Sequence, residues 1–266
     1  MSTKMIVSDL DGTLFNSDCE GYGVSKELIS YIKEFKKKGN IFTIATGRPI
    51  ETSIEVAKKV GINAPYITYN GAKIADVNGK KIYSERFLLK EILCFLREVE
   101  KFGASIILYV NGKILCFKYT QRISVYEKKE ITKCEEIDEA LFDTDIRVNK
   151  VLVIGDVEKY KEMWNDLDVS IKDKFRYVIS EDDYFEIVQS NISKGSALKV
   201  LKNHLNIENL EIIAVGNHMN DKELLEVADV GFAVNNAVDG LKEIADYTTK
   251  EEYENGVIEI IKKIME

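Results

Sequence analysis

Asp9-Leu10-Asp11-Gly12-Thr13 puts two carboxylates two residues apart, at the end of a short apolar run that begins at Lys4. Two like charges so close together repel unless something positive holds them. A magnesium ion suits that role, because it takes hard oxygen ligands while keeping water and substrate phosphate in its shell. With such an ion the chemistry open to the pair is phosphoryl transfer. Asp9 would attack phosphorus and become an acyl phosphate, while Asp11 would give a proton to the leaving oxygen and later take one from water. The backbone N–H of Leu10, next to the nucleophile, would hold an equatorial phosphate oxygen. Two plainer explanations compete. One is a calcium-binding EF-hand loop, with Asp9, Asp11 and Glu20 in its first, third and twelfth positions. That loop needs glycine in its sixth position, where this chain has Leu14, and a helix before it, where this chain has a strand pattern. The other is a solvated acidic turn.

Three further clusters carry polar side chains of the right type. Thr46 closes the run Ile41 to Thr46, and its hydroxyl, with the backbone N–H of Gly47, makes a phosphate seat at the start of a helix. Thr46 could equally cap that helix. Lys194 in Ser193-Lys194-Gly195 would bring a cation to the same phosphate and balance the acids, although a lysine at a helix start is ordinarily just solvated. Gly216-Asn217-His218-Met219-Asn220-Asp221 follows the apolar run Glu211 to Val215 and precedes a helix. None of the four is decisive alone. Three stand directly behind apolar strand patterns and the fourth opens a helix, so one sheet edge would gather them all.

The elements that must do the gathering are legible as an alternation. A strand pattern before Asp9 gives way to a helix with Leu28, Ile32 and Phe35 at helical spacing, Ser25 as its cap and Gly39 as its stop. Ile41 to Thr46 reads as a second strand, followed by a helix entered at Pro49 and left at Gly61, and Tyr66 to Asn70 reads as a third. Asn78-Gly79 marks a hairpin. From about Glu85 the pattern changes: a long helix over Leu88 to Phe102, a hairpin at Asn111-Gly112, and β-rich pieces from Val148 to Val188 with a helix near Tyr160 to Leu167. Alternation resumes after Ser193 and ends with a helix near Met265. The expected architecture is α/β: a parallel-sheet, Rossmann-like core from residues 1–84 and 189–266, interrupted by an inserted α+β domain over 85–188. Tyr109, Phe117, Tyr119 and Tyr126 could line a pocket, but at strand spacing they are expected in core and sheet packing.

Composition narrows the function classes. The 266 residues are 45% hydrophobic and 31% charged, ordinary for a globular chain and incompatible with disorder. Lys and Arg total 37 against 45 acids, a formal charge of −8, which disfavours general nucleic-acid binding but leaves room for a local basic pocket. Four scattered cysteines (Cys19, Cys94, Cys116, Cys134) form no C-x-x-C pair, and no signal-like start or membrane-length apolar run occurs. A soluble, cytoplasmic protein with reduced thiols is expected, acting on a small molecule with neither nucleic acid nor membrane as partner.

DLDGT, ATGR, SKG and GNHMND, in that order and with a long insertion between the second and third, closely resemble the haloacid dehalogenase-like hydrolases. More narrowly they are similar to the Cof-type phosphatases with a large α/β cap. The resemblance covers the whole chain and implies Asp9 as nucleophile, Asp11 as acid and base, and Thr46 and Lys194 on the phosphate. It also implies that magnesium is held by Asp9, Asp11, Asn217 and Asp221, with Asn220 beside the phosphate and the cap selecting substrate. Implied substrates are phosphate monoesters, either sugar phosphates or phosphorylated cofactors such as pyridoxal phosphate or flavin mononucleotide. A sugar phosphomutase and a phospho-ligand binding protein of low turnover are the alternatives. In this family Asn217 is usually aspartate; the amide brings no charge, so weaker metal binding is expected.

Overall fold

The structure is a computed structural model that describes residues 2–16 and 24–266. Cys19 and the Glu20 position of the calcium-loop pattern lie outside the described residues. The chain divides into two compact units: one formed by the chain up to Tyr83 with Ser193–Glu266, the other by Ser84–Ile192.

In the first unit β1 (Thr3–Ser8) is buried from Met5 onward, as a parallel strand with both faces covered must be. α1 (Lys26–Lys37) starts where the Ser25 hydroxyl accepts the Leu28 N–H, and it buries Leu28, Ile32 and Phe35. β2 (Ile41–Ile44) leads to α2 (Ile50–Val60), whose Pro49 cap and left-handed Gly61 exit stand where the sequence places them. β3 (Tyr66–Thr68), β4 (Lys73–Ala75) and β5 (Lys81–Ser84) form a small separate sheet. The strand expected to run to Asn70 therefore stops at Thr68. Tyr69 and Asn70 take left-handed backbones, and their N–H groups bond back to the carbonyls of Arg48 and Thr46 instead of to a neighbouring strand.

The second unit opens with β6 (Phe87–Leu88) and α3 (Leu93–Lys101). The helix expected from Leu88 starts late because Phe87 and Leu88 pair with Val148 and Arg147 and the Leu89 N–H bonds to Ile146 O. β7 (Ser105–Val110) and β8 (Lys113–Cys116) form the hairpin, with Asn111 and Gly112 both at positive φ as its turn. α4 (Gln121–Glu130) corrects the strand reading of this stretch: Thr120 caps it, Tyr126 is buried on a helix, and Tyr119 is exposed. Its apolar positions are too few to show a helical period among so many charges. β9 (Glu135–Glu136), β10 (Arg147–Val148), β11 (Val151–Ile154), α5 (Val157–Asn165), α6 (Val169–Lys174), β12 (Phe175–Glu181) and β13 (Tyr184–Gln189) complete the unit. Its main sheet runs β12-β13-β11-β7-β8-β9, and its own core centres on Phe95, Trp164, Tyr177 and Phe185.

The return adds α7 (Lys194–Leu205), β14 (Leu210–Gly216), α8 (Lys222–Val227), β15 (Val230–Ala233), α9 (Asp239–Lys242), β16 (Tyr247–Thr248) and α10 (Tyr253–Met265). The resulting sheet is wholly parallel, ordered β16-β15-β14-β1-β2. Chain order reverses about β1, whose neighbours β14 and β2 lead off in opposite directions. A crevice outside the carboxyl ends of the strands is expected at such a point. No helix among the described residues is long and apolar enough to cross a membrane.

Candidate active site

Each expected side chain leaves the carboxyl end of a strand or the first turn of a helix in the first unit. Asp9 directly follows β1, and its N–H bonds to Val215 O of β14, so its backbone continues the sheet while its side chain enters the crevice. Thr46 follows β2, Asn217 follows β14, and Lys194 is the first residue of α7. The Ser193 and Ser196 hydroxyls cap that helix reciprocally, which fixes the backbone from which Lys194 projects.

Lys194 is the electrostatic centre. Its Nζ lies 2.6 Å from Asp9 Oδ1 and 2.6 Å from Asp221 Oδ1, and the lysine is only 1% exposed. Burial works against charge on this ammonium, but Asp221 and Asp9 outweigh it and hold the group above its ordinary range. Asp9, 5% exposed, is pushed up to about 7 by burial; Lys194 opposes the rise, and the charges of Asp221 and Asp11 add to it. The two tendencies conflict, since a fully charged Lys194 favours an ionised Asp9. An ammonium gripped by two carboxylates keeps its proton, so Asp9 is the group that titrates. Asp221 is fully committed: its Oδ2 accepts the backbone N–H groups of Asn217 and His218 at 3.0 and 3.2 Å.

Asp11 meets Arg48, the last residue of the ATGR motif, to which the sequence assigned no role. Arg48 Nε and Nη2 donate to the two Asp11 oxygens at 2.7 Å each, a bidentate clamp. Its signal was its place directly behind Thr46 and Gly47. Thr46 is fully buried and its Oγ1 accepts the Arg48 N–H at 3.0 Å; it does not cap α2, which has no side-chain cap. A Cβ on Gly47 would stand 3.0 Å from Asn70 Oδ1, so this glycine lets the loop after β2 pass close to Asn70. Asn220 in turn donates to Asn70 Oδ1 at 3.4 Å, tying the last motif to this loop. Asn70 and Asn236 were not anticipated. Asn236, behind β15, donates to the Gly12 carbonyl at 2.8 Å, and the only hint of it was a polar residue following a buried strand.

Oxygen atoms converge beside this charged group. Thr13 Oγ1 lies 3.3 Å from Asp9 Oδ2 and 3.0 Å from Asn217 Oδ1. The Asn217 amide terminus also faces the Asp11 carbonyl oxygen, at 3.0 Å, and Asp9 Oδ2, at 3.2 Å. Among the described residues no three His, Cys, Asp or Glu side chains group as a metal cage. The physical reason is that Asp221 and the Asp11 side chain are spent on Lys194 and Arg48. What remains is a mixed set of one carboxylate, one backbone carbonyl, one hydroxyl and one amide. All are hard oxygens, the donor chemistry that suits a small divalent cation.

The sequence matches the haloacid dehalogenase-like hydrolase family over residues 6–261. The phosphatase YwpJ of Bacillus subtilis is 29% identical, the match covering 98% of this chain and 100% of that protein. The 5-amino-6-(5-phospho-D-ribitylamino)uracil phosphatase YitU of the same organism is 26% identical over 99% of this chain and 98% of its own length. Among solved structures, a haloacid dehalogenase-like hydrolase from Bacteroides thetaiotaomicron superposes with a TM-score of 0.82 at 27% identity, covering 98% of this chain and 99% of that one.

Proposed function

Because the chain belongs to the haloacid dehalogenase-like hydrolases and is a phosphatase of that family, we propose that it hydrolyses small-molecule phosphate monoesters through a phospho-Asp9 intermediate, with magnesium as cofactor. The observation that carries this is the buried Lys194 bridging Asp9 and Asp221 at the end of β1. Lys194 and Asp221 orient Asp9 so that one carboxylate oxygen attacks phosphorus while the ester P–O bond breaks. Asp11, in its protonated form and with one oxygen released from the Arg48 fork, supplies the proton that the leaving oxygen needs. Water then attacks the phosphorus of the acyl phosphate, Asp11 takes the proton, and inorganic phosphate leaves with Asp9 regenerated. The hydroxyl of Thr46 and the backbone N–H groups of Leu10 and Gly47 bind the phosphate oxygens, and Lys194 offsets charge on them. Asn220 keeps the last motif against the phosphate seat through Asn70.

Asp9 Oδ2, the Asp11 carbonyl and the Asn217 amide oxygen would hold the magnesium, with Thr13 beside them. Asp221 supports the ion's surroundings through Lys194 and the backbone of the 216–221 loop. When bound, the ion supplies positive charge for the phosphate oxygens. The inserted unit chooses among esters, sugar phosphates or phosphorylated cofactors, and the relative named for a phosphorylated ribitylamino-uracil supports that size of substrate. The protein works in the cytoplasm.

The test is a single turnover on an ester labelled in its phosphoryl group, quenched in acid with magnesium present. Label should stay on the wild-type protein and be absent from Asp9→Asn. Undiminished turnover in Asp9→Asn would remove Asp9 as nucleophile.

A further inference from the structure

The end of the Asn217 side chain occupies a position that only a proton donor or a cation can fill well. Three oxygens surround it: the Asp11 carbonyl at 3.0 Å, Asp9 Oδ2 at 3.2 Å and Thr13 Oγ1 at 3.0 Å. Two of these can only accept when Asp9 is ionised. With the amide oxygen turned toward them, the one hydrogen of Thr13 faces both Asn217 Oδ1 and Asp9 Oδ2, at 3.0 and 3.3 Å. The amide oxygen then confronts the Asp11 carbonyl and Asp9 with nothing positive between them, an arrangement that costs energy without a cation. With the amide turned by half a turn, Nδ2 stands in the same place and its two hydrogens serve the surrounding oxygens. The Thr13 hydrogen is then left for Asp9.

We propose that Asn217 is a two-position amide switch, its NH2 group standing in for the divalent cation when none is bound and its Oδ1 turning inward to ligate one that is. The half turn needs no new space, because the two ends of an amide are nearly equal in size. The backbone on either side of the side chain is held. Its N–H is bonded to Asp221 Oδ2 at 3.0 Å, and its carbonyl accepts the Val238 N–H at 2.9 Å. Gly12, at φ 79°, has no Cβ to spare: one would stand 2.2 Å from the amide's other end. The half turn is a rotation about the outermost torsion alone. The self-made bonds of the cation-free position compete with metal, so apparent magnesium affinity falls by the fraction of molecules in that position. A carboxylate here could ligate but never donate. This inference deepens the cation pocket of the proposed phosphatase site and does not depend on Asp9 being the nucleophile.

The experiment compares wild type, Asn217→Asp and Asn217→Ala, without substrate, in EDTA and over a magnesium chloride series. Melting temperature and calorimetric magnesium binding are the readouts. Asn217→Asp should melt several degrees below wild type in EDTA, recover with magnesium, and bind the ion about tenfold or more tightly. Asn217→Ala should melt low in EDTA and regain little. Asn217→Asp melting at or above wild type in EDTA, or binding magnesium no better, overturns the proposal. Should the variants not fold, the wild-type Asn217 side-chain NH2 gives a second test by NMR. Its protons should be protected from exchange in EDTA and lose that protection in magnesium; exchange as fast as in a free amide in EDTA sinks the proposal. Trapped phospho-Asp9 alongside variants that respond to magnesium alike would sink the switch and keep the phosphatase. The expected melting pattern without any phosphoryl label on Asp9 would do the reverse.

Discussion

Two buried lysines, one in each unit, show how the same residue type can serve chemistry or architecture. Lys150, between β10 and β11, donates to Glu186 of β13 at 2.8 Å, both groups almost fully buried; Ser180 bonds the same carboxylate at 3.1 Å and the Tyr109 ring lies 4.9 Å from the ammonium. This ion pair ties the start of β11 to β13 within one sheet. Lys194 instead meets two carboxylates, and with Asp11 and Arg48 the site holds three acids against two bases. Burying a charge is costly, and an opposite charge beside it contains the cost. The core site sets more acids than bases beside converging oxygens.

That contrast can be broken at four points. The largest effect is expected from Asp9→Asn, which should lower steady-state phosphatase turnover by more than about a thousandfold while the protein stays folded by circular dichroism. In the inserted unit the loss should be of stability: Glu186→Gln removes the carboxylate that the buried Lys150 ammonium bonds and is expected to cost about 3–5 kcal/mol in urea unfolding. The double replacement Lys150→Met with Glu186→Leu should regain most of it, and a double variant no more stable than the single would show that the pair is not merely structural. Arg48→Lys comes third. It keeps the charge but gives up the fork that grips both Asp11 oxygens, so kcat should fall about tenfold, or ~1.4 kcal/mol, with a smaller change in KM. An unchanged kcat would mean the clamp does not position Asp11.

The smallest effect is a pH dependence. Asp9 titrates at about 7 in the fold against 3.8 for the ordinary side chain, so its protonated form stabilises the protein. That contribution is complete below about pH 4 and is lost as pH rises through 7. In EDTA, Asp9→Asn should therefore gain in melting temperature over wild type by a few degrees across this window. A difference that stays flat from pH 4 to 8 would place the Asp9 titration elsewhere.

Most of the core was legible because parallel strands buried on both faces read as short apolar runs, and polar residues directly after them fall at one sheet edge. Asp9, Thr46 and Asn217 were found in this way. Lys194 was harder, since a lysine at a helix start carries no sign of burial; only the cluster around it supplied a reason. The Arg48–Asp11 clamp was invisible, because it joins residues 37 apart through side-chain conformations that no spacing encodes. Asn70 was hidden by its own strand-like run, which ends when backbone groups of the Thr46 loop capture Tyr69 and Asn70. In the inserted unit α4 escaped notice because its buried apolar residues Ile123 and Tyr126 are outnumbered by charges, two of which, Glu127 and Glu130, are themselves buried.

The second junction between the units falls between Ile192 and Ser193, and Lys194 is the next residue along. Any exchange of the inserted segment for one from another hydrolase must hand the chain back at that serine in the right phase. A splice that slipped by a single residue would rotate the helix start and withdraw the ammonium from Asp9. The inserted segment is thus free to vary in length and sequence only up to a fixed suture, sewn immediately beside Lys194.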